Sequence, residues 1–160
     1  MQLYKQSFPV HEQRLPADQK AALLNQEYHF DLVYSQQQFI GLLLYWETES
    51  FIYVEHFCTA VELRGRGYGV QALQLLTNPH KPVILEIDPP IDDISIRRKA
   101  FYERAGYLAN GFYHVHPPYR TQYRGHELVV MSSPRALSEA LYNQFFEYLQ
   151  NTVMYYAQKC

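Results

Sequence analysis

The residues with the clearest chemical potential are Arg64-Gly65-Arg66-Gly67-Tyr68-Gly69. Glycines let the main chain take left-handed angles and approach an anion closely. A helix that opens directly after such a turn presents free N–H groups and the positive end of its dipole. Arg64 and Arg66 add positive charge. These types at this spacing describe a phosphate cradle, although glycine-rich turns also serve simply to reverse a chain. The Walker pattern is excluded because no Gly-Lys-Ser/Thr follows. A dinucleotide fingerprint stays open: Gly67-Tyr68-Gly69-Val70-Gln71-Ala72 fits Gly-x-Gly-x-x-Ala, and Asp88 closes the next strand about 20 residues on. Against it, Val61 to Arg64 separate the preceding strand from the glycines, and an antiparallel meander comes before them.

The elements that must position this turn follow from periodicity. Leu15-Pro16-Ala17-Asp18 opens a helix expected to run to about Tyr28, with Leu23 and Leu24 facing the core. Three apolar runs, His29 to Tyr34, Phe39 to Trp46 and Phe51 to Ala60, are separated by short polar joints, which predicts an antiparallel meander. Val70, Leu73 and Leu76 repeat at helical spacing up to Asn78-Pro79. Val83 to Ile87 reads as a buried strand, and Asp93 or Ser95 caps a helix to Ala105 that Gly106 closes with a left-handed residue. Leu108 to His116 and His126 to Met131 are expected strands joined by a loop through Pro117-Pro118-Tyr119. A final helix is expected from near Pro134 to Lys159. It carries Leu141, Phe145, Tyr148 and Leu149 on one stripe against the sheet, leaving Tyr155 and Tyr156 for a homodimer contact. The order predicts one α/β domain over residues 1–160, a central sheet flanked by helices.

Composition narrows the function classes. With 160 residues, 48% apolar and 19% charged, the chain can bury a core and fold by itself. Fourteen Lys and Arg against 16 Asp and Glu give no basic field for nucleic acid. Cys58 and Cys160 are no disulfide framework, and the longest apolar run, Phe39 to Trp46, is too short to span a bilayer. The N-terminus has no basic start followed by an apolar stretch, so the expected location is the cytoplasm, away from membranes. The histidines lack His-x-x-x-His spacing, and no metal is expected.

Two segments carry a resemblance. Arg64, Gly67 and Gly69 match Arg/Gln-x-x-Gly-x-Gly/Ala, and the helix from Ser95 ends Phe101-Tyr102-Glu103-Arg104-Ala105-Gly106-Tyr107. In this order, with a strand between them, they resemble the two signature segments of the GCN5-related N-acetyltransferase (GNAT) family, whose helix typically ends Phe-Tyr-Glu-Lys-x-Gly-Phe. The resemblance implies an α+β fold with a mixed, mostly antiparallel sheet, in which the strand at 51–60 splays from the strand at Val83 to hold acetyl-CoA. The main chain of Phe57, Cys58 and Thr59 would bond the pantetheine amides. Arg64 and the N–H groups of Gly65, Arg66, Gly67, Tyr68 and Gly69 would hold the pyrophosphate. Tyr102 matches the tyrosine that protonates the leaving thiolate in many members, and Ser95 and Arg98 share its helical face. The family commonly has Asn at Ser95, Ala at Arg98 and Val at Thr59, so this chain departs from it there.

The implied activity is acetyl transfer from acetyl-CoA to a primary amine by direct attack in a ternary complex; a non-catalytic acyl-CoA-binding module is the alternative. An attacking amine must lose a proton, and Glu55 is the expected base unless it alternates outward into solvent. Without the glycine motif, Tyr102 on an amphipathic helix would read as core packing; with it, the catalytic role is favoured. His116 and Tyr119 on the proline-stiffened loop, with Glu12 on the opposite wall, are the candidates for the acceptor pocket. His56 is expected to be structural.

Overall fold

The apolar runs become β1 (Tyr28–Ser35), β2 (Gln38–Glu47) and β3 (Ile52–Thr59), paired antiparallel in sequence order in a computed structural model that describes residues 1–157. They are followed by β4 (Val83–Ile87), the short strands β5 (Leu108–Ala109), β6 (Val115–His116) and β7 (His126–Glu127), and β8 (Val129–Ser133). The main sheet has the order β1-β2-β3-β4-β8-β5, while β6 and β7 form a separate ribbon. Among the described residues β3 and β4 are the parallel neighbours. Parallel strands need a crossover, and α3 (Tyr68–Gln74) lies on that connection.

Helices cover both faces. On one side α1 (Gln2–Ser7), α2 (Pro16–Ala22) and α5 (Glu139–Tyr148) seal a core that includes Tyr4, Trp46, Phe51, Tyr53, Phe145 and Leu149. On the other, α3 and α4 (Asp93–Arg104) pack on Leu43, Val54, Leu85, Ile87 and Met131 through Leu73 and Phe101. Each such buried side chain removes apolar surface worth about 1.5–3 kcal/mol. No helix of the described residues is long and apolar enough to cross a membrane.

Several expectations are corrected. The second helix ends at Ala22, not near Tyr28, because Asn25 turns the chain: its side-chain oxygen accepts from Glu27 N at 2.9 Å. Leu23 and Leu24 fall in that turn and are exposed rather than core-facing. The strand expected over Leu108 to His116 is split, because Asn110 leaves the ladder to tie elements together. Its amide nitrogen donates to Ser132 Oγ at 3.0 Å, and its oxygen accepts from Leu137 N at 2.8 Å. The last helix starts at Glu139 rather than near Pro134, since Ser138 supplies its N-cap, accepting from Leu141 N at 3.2 Å. It widens into a π turn over Leu149–Val153 and a 3-10 turn over Met154–Tyr156; its expected end at Lys159 lies outside the described residues. Phe145 and Leu149 do face the core. Tyr156 is not left over for a dimer: its ring stacks on Trp46 and its hydroxyl accepts from Asn25.

Candidate active site

A break in one strand pair opens the site. β3 and β4 pair only through Ile52–Val83, Tyr53–Ile84 and Val54–Leu85, yet β3 continues to Thr59 and β4 to Ile87. Past Val54 the strands diverge, and a cavity of about 820 Å³ enters between them. Phe57, Cys58 and Thr59 line one side of this opening and Glu86, Ile87 and Asp88 the other.

The glycine turn lies at one end. Gly65 and Gly67 have φ of +75° and +81°, and a Cβ at either would meet nothing within 4 Å, so these positions keep an open, left-handed main chain. Arg64, Gly65, Gly67 and Gly69 line the cavity, as do Arg97, Arg98 and Arg104 of α4, so its lining is rich in cations and main-chain donors. This is the fit a phosphate-bearing tail needs. Arg66 is exposed, and the Tyr68 ring packs on Ile40, Ala60 and Leu63, so neither side chain belongs to the cradle.

α4 delivers the next group. Asp92 caps it, accepting from Ser95 N at 2.8 Å, while Ser95 Oγ accepts in turn from Asp92 N at 3.1 Å. That capping box consumes the Ser95 side chain, which is buried at the helix start. The expectation that Ser95 contacts the cofactor is therefore corrected. Arg98 does line the cavity and is ion-paired with Asp88 at 2.7 Å. Tyr102, one turn on, lines it as well. Burial pushes its phenol up to about 12, against the nearby Arg98 charge.

Glu55, the expected base, meets surroundings that hold its proton affinity low. The β2–β3 register slips between Leu44–His56 and Tyr45–Val54, leaving Glu55 as a bulged extra residue. Glu55 lines the cavity, yet its side chain is fully buried and not solvated. One oxygen meets Arg14 Nη1 at 2.5 Å and the Tyr119 hydroxyl at 2.7 Å; the other accepts from Trp46 Nε1 at 2.9 Å. Burial raises its pKa, but the Arg14 charge and these hydrogen bonds hold it down to about 2, which makes it a poor proton acceptor. Tyr119 thus spends its hydroxyl on Glu55, and only its ring edge of the wall remains available beside His116, on which it stacks. His56 is buried and bonded to the Glu12 carbonyl.

The far end of the cavity gathers groups from distant segments. Glu12, His116 and His126 line it with Glu86, Asp88 and Leu128. Glu86 is a carboxylate on a buried strand: it accepts from the Tyr53 hydroxyl at 2.5 Å and from His114. Burial raises its pKa, but His116 and His114 hold it below the usual range. Sequence reasoning missed it, though a glutamate inside the apolar run Val83 to Ile87 was itself a signal, since a buried charge demands partners. His126, Asp88, Arg97 and Arg104 carried no such signal. His11, Glu12 and His126 also converge, their ligand atoms within 4.8 Å of one another. That is looser than a tetrahedral zinc shell with bonds of about 2.0–2.1 Å would draw together.

Comparison with known proteins places this geometry among acyltransferases. No family model matches the sequence. YjbC of Bacillus subtilis (strain 168), an inferred acetyltransferase, is 28% identical over 99 residues, 61% of this chain. The chain spans about half the length of that curated relative, 50%. A solved structure of an inferred GNAT-family acetyltransferase from Bacteroides thetaiotaomicron superposes with a TM-score of 0.85 at 27% identity, covering 96% of this chain and 88% of that one. Naa50 of Arabidopsis thaliana, solved with the bisubstrate analogue CoA-Ac-MVNAL, shares the fold at a TM-score of 0.57 and 16% identity, covering 82% of this chain and 87% of that one.

Proposed function

Because the chain is a member of the GNAT family, we propose that it is an N-acetyltransferase moving acetyl from acetyl-CoA to a primary amine by direct attack in a ternary complex. The observation that carries this reading is the strand pair that opens after Val54 and leads into the left-handed Gly65–Gly67 turn. When bound, acetyl-CoA supplies an acetyl group activated as a thioester. The chain's own residues do the rest. The free edge of β3 at Phe57 to Thr59 offers main-chain partners to an extended amide-bearing arm. Arg64 and the open main chain of Gly65 to Gly69 take up phosphate charge. The cleft holds the two reactants side by side, which turns a bimolecular encounter into a local one.

Tyr102 is the proton donor in this reading. Near 12, its phenol is protonated at neutral pH. An ordinary thiol titrates at about 8.5, so complete transfer to a thiolate is uphill by roughly 5 kcal/mol in the empty cleft. Tyr102 therefore acts first as a hydrogen-bond donor to sulfur as its charge grows, with Arg98 stabilising the phenolate when the proton moves.

Isothermal titration with acetyl-CoA and CoA, followed by thiol release with an amine panel, tests the proposal. Binding with release to an amine is the expected result. Binding without release across the panel selects the non-catalytic acyl-CoA module, and stabilisation by NAD but not by CoA selects a dinucleotide site.

A further inference from the structure

Three side chains from segments far apart in sequence converge beside the cavity: His11 and Glu12 on the 3-10 turn Val10–Glu12, and His126 on β7. One ligand atom from each lies within 4.8 Å of the other two, and His11 Nε2 is 3.6 Å from Glu12 Oε1. The main chain beneath them is fixed. The Glu12 carbonyl accepts from His56 Nε2 at 2.8 Å, and the Gln13 side-chain amide donates to the Phe8 carbonyl at 2.6 Å. Opposite, His126 pairs with His116 in the β6–β7 ribbon, and Arg120 of the connecting loop donates to the Gln13 carbonyl at 3.3 Å. The three side chains themselves are only partly buried, so they can turn.

A second, independent observation is the state of His126. Among the described residues its imidazole makes no hydrogen bond or ion pair, only ring contacts with His11 and His116. Burial, then the charges that His116 and His11 carry when protonated, lower its pKa against the opposing pull of Asp88 and Glu86. At neutral pH it is therefore an uncharged ring with a lone pair to give, the form a metal ion needs.

Two imidazoles and one carboxylate make a ligand set that zinc accepts with a position left open. A tetrahedral shell with bonds of about 2.0–2.1 Å places ligand atoms about 3.3 Å apart, so His11 and Glu12 already stand near that separation and the loosest pair must draw in by at most about 1.5 Å. Rotation of partly exposed side chains covers that. We propose that His11, Glu12 and His126 form a zinc(II) site, and that the bound ion closes the acceptor end of the cavity, which Glu12 and His126 line. No His-x-x-x-His spacing announces the site, because its ligands come from two elements. An ion held there takes up the Glu12 carboxylate and fills space that an incoming amine needs, while the glycine turn at the other end stays open. Binding is independent of the acetyltransferase reading; the closing of the acceptor end rests on it.

The test is titration of Zn²⁺ into the chelator-stripped full chain by calorimetry, with melting curves alongside. One equivalent is expected to bind and to raise the melting temperature. His126→Gln and His11→Gln, on separate segments, should each weaken binding at least about tenfold while still melting cooperatively without metal. Excess Mg²⁺ should not displace the zinc, since a hard ion takes oxygen ligands and has little use for imidazole. In transfer assays that follow the acetylated amine, zinc should inhibit competitively with the amine and not with acetyl-CoA. EDTA should reverse the inhibition, and its midpoint should shift with the zinc affinity in the variants, each measured against its own metal-free rate. No zinc binding, an affinity unchanged in either variant, or displacement by Mg²⁺ would overturn the site. Site binding without inhibition, or inhibition competitive with acetyl-CoA, would overturn the closing of the acceptor end alone. No transfer to any amine would overturn the acetyltransferase reading, and the closing with it, while the zinc titration stands.

Discussion

At the scale of single residues, Tyr102 and Glu55 show how location decides chemistry. Both looked able to move a proton and both line the cavity, but Glu55 is held ionised by Arg14, Tyr119 and Trp46, whereas burial keeps the proton on the Tyr102 phenol. Replacing Tyr102 by Phe keeps the ring that packs against Phe101 and Tyr107 and deletes only the donor. The expected outcome is a fall in kcat of about 10²-fold with acetyl-CoA affinity and melting temperature nearly unchanged, the scale of one positioned proton donor. Steady-state kinetics with parallel calorimetry would check it, and an unchanged kcat across pH would make Tyr102 a packing residue only. The glycine turn and the place of Tyr102 on its helix were legible in the sequence because they rest on local constraints: left-handed angles and helical spacing. Ser95 was misread because a serine at a helix start has a nearer claim on its hydroxyl, the capping box with Asp92. Glu12 was named correctly as a wall residue, but its company was not foreseeable, since His126 and Asp88 reach it only through the fold.

At the scale of elements, the bulge in β3 does two things at once. Inserting Glu55 between Val54 and His56 shifts the register, and it does so at the point where β3 begins to leave β4. There the carboxylate meets Arg14, whose guanidinium also lies 5.5–5.6 Å from the ring centres of Tyr28, Trp46 and Tyr119 and donates to the Val153 carbonyl at 3.1 Å. The pair pins the segment after Glu12 to the sheet and so fixes one wall of the acceptor end. Breaking it on one side leaves a buried charge: Glu55→Gln or Arg14→Met alone should each cost about 3–5 kcal/mol in urea unfolding, and the double change to apolar residues much less. Additive losses would show that the two charges act separately. The meander, the crossover and α4 were legible because period and turn chemistry announce them. The bulge was not, because a single extra residue leaves the apolar pattern of Phe51 to Ala60 unbroken, and the long last helix was over-read because its aromatic stripe outlasts its α-helical hydrogen bonding.

At the scale of the whole molecule, charge buried on the face of the sheet that α1, α2 and α5 cover couples stability to pH, and the sign can be worked out group by group. Glu55, held to about 2, and Glu86, also lowered, bind protons more weakly folded than unfolded. Their stabilisation is present above the ordinary glutamate range of about 4.3 and is lost as pH falls through their folded values. His56, lowered chiefly by burial, acts in the same direction from a higher start: the unfolded chain binds its proton first, below about 6.5. Glu12 opposes them, because its raised pKa means the folded state takes up a proton before the unfolded chain does. One exposed-side carboxylate does not offset three buried groups, so the melting temperature should decline from about pH 6.5 and steepen between about pH 4.3 and 2. The Arg14→Met/Glu55→Leu double variant should flatten the lower part of that decline while leaving the upper part in place.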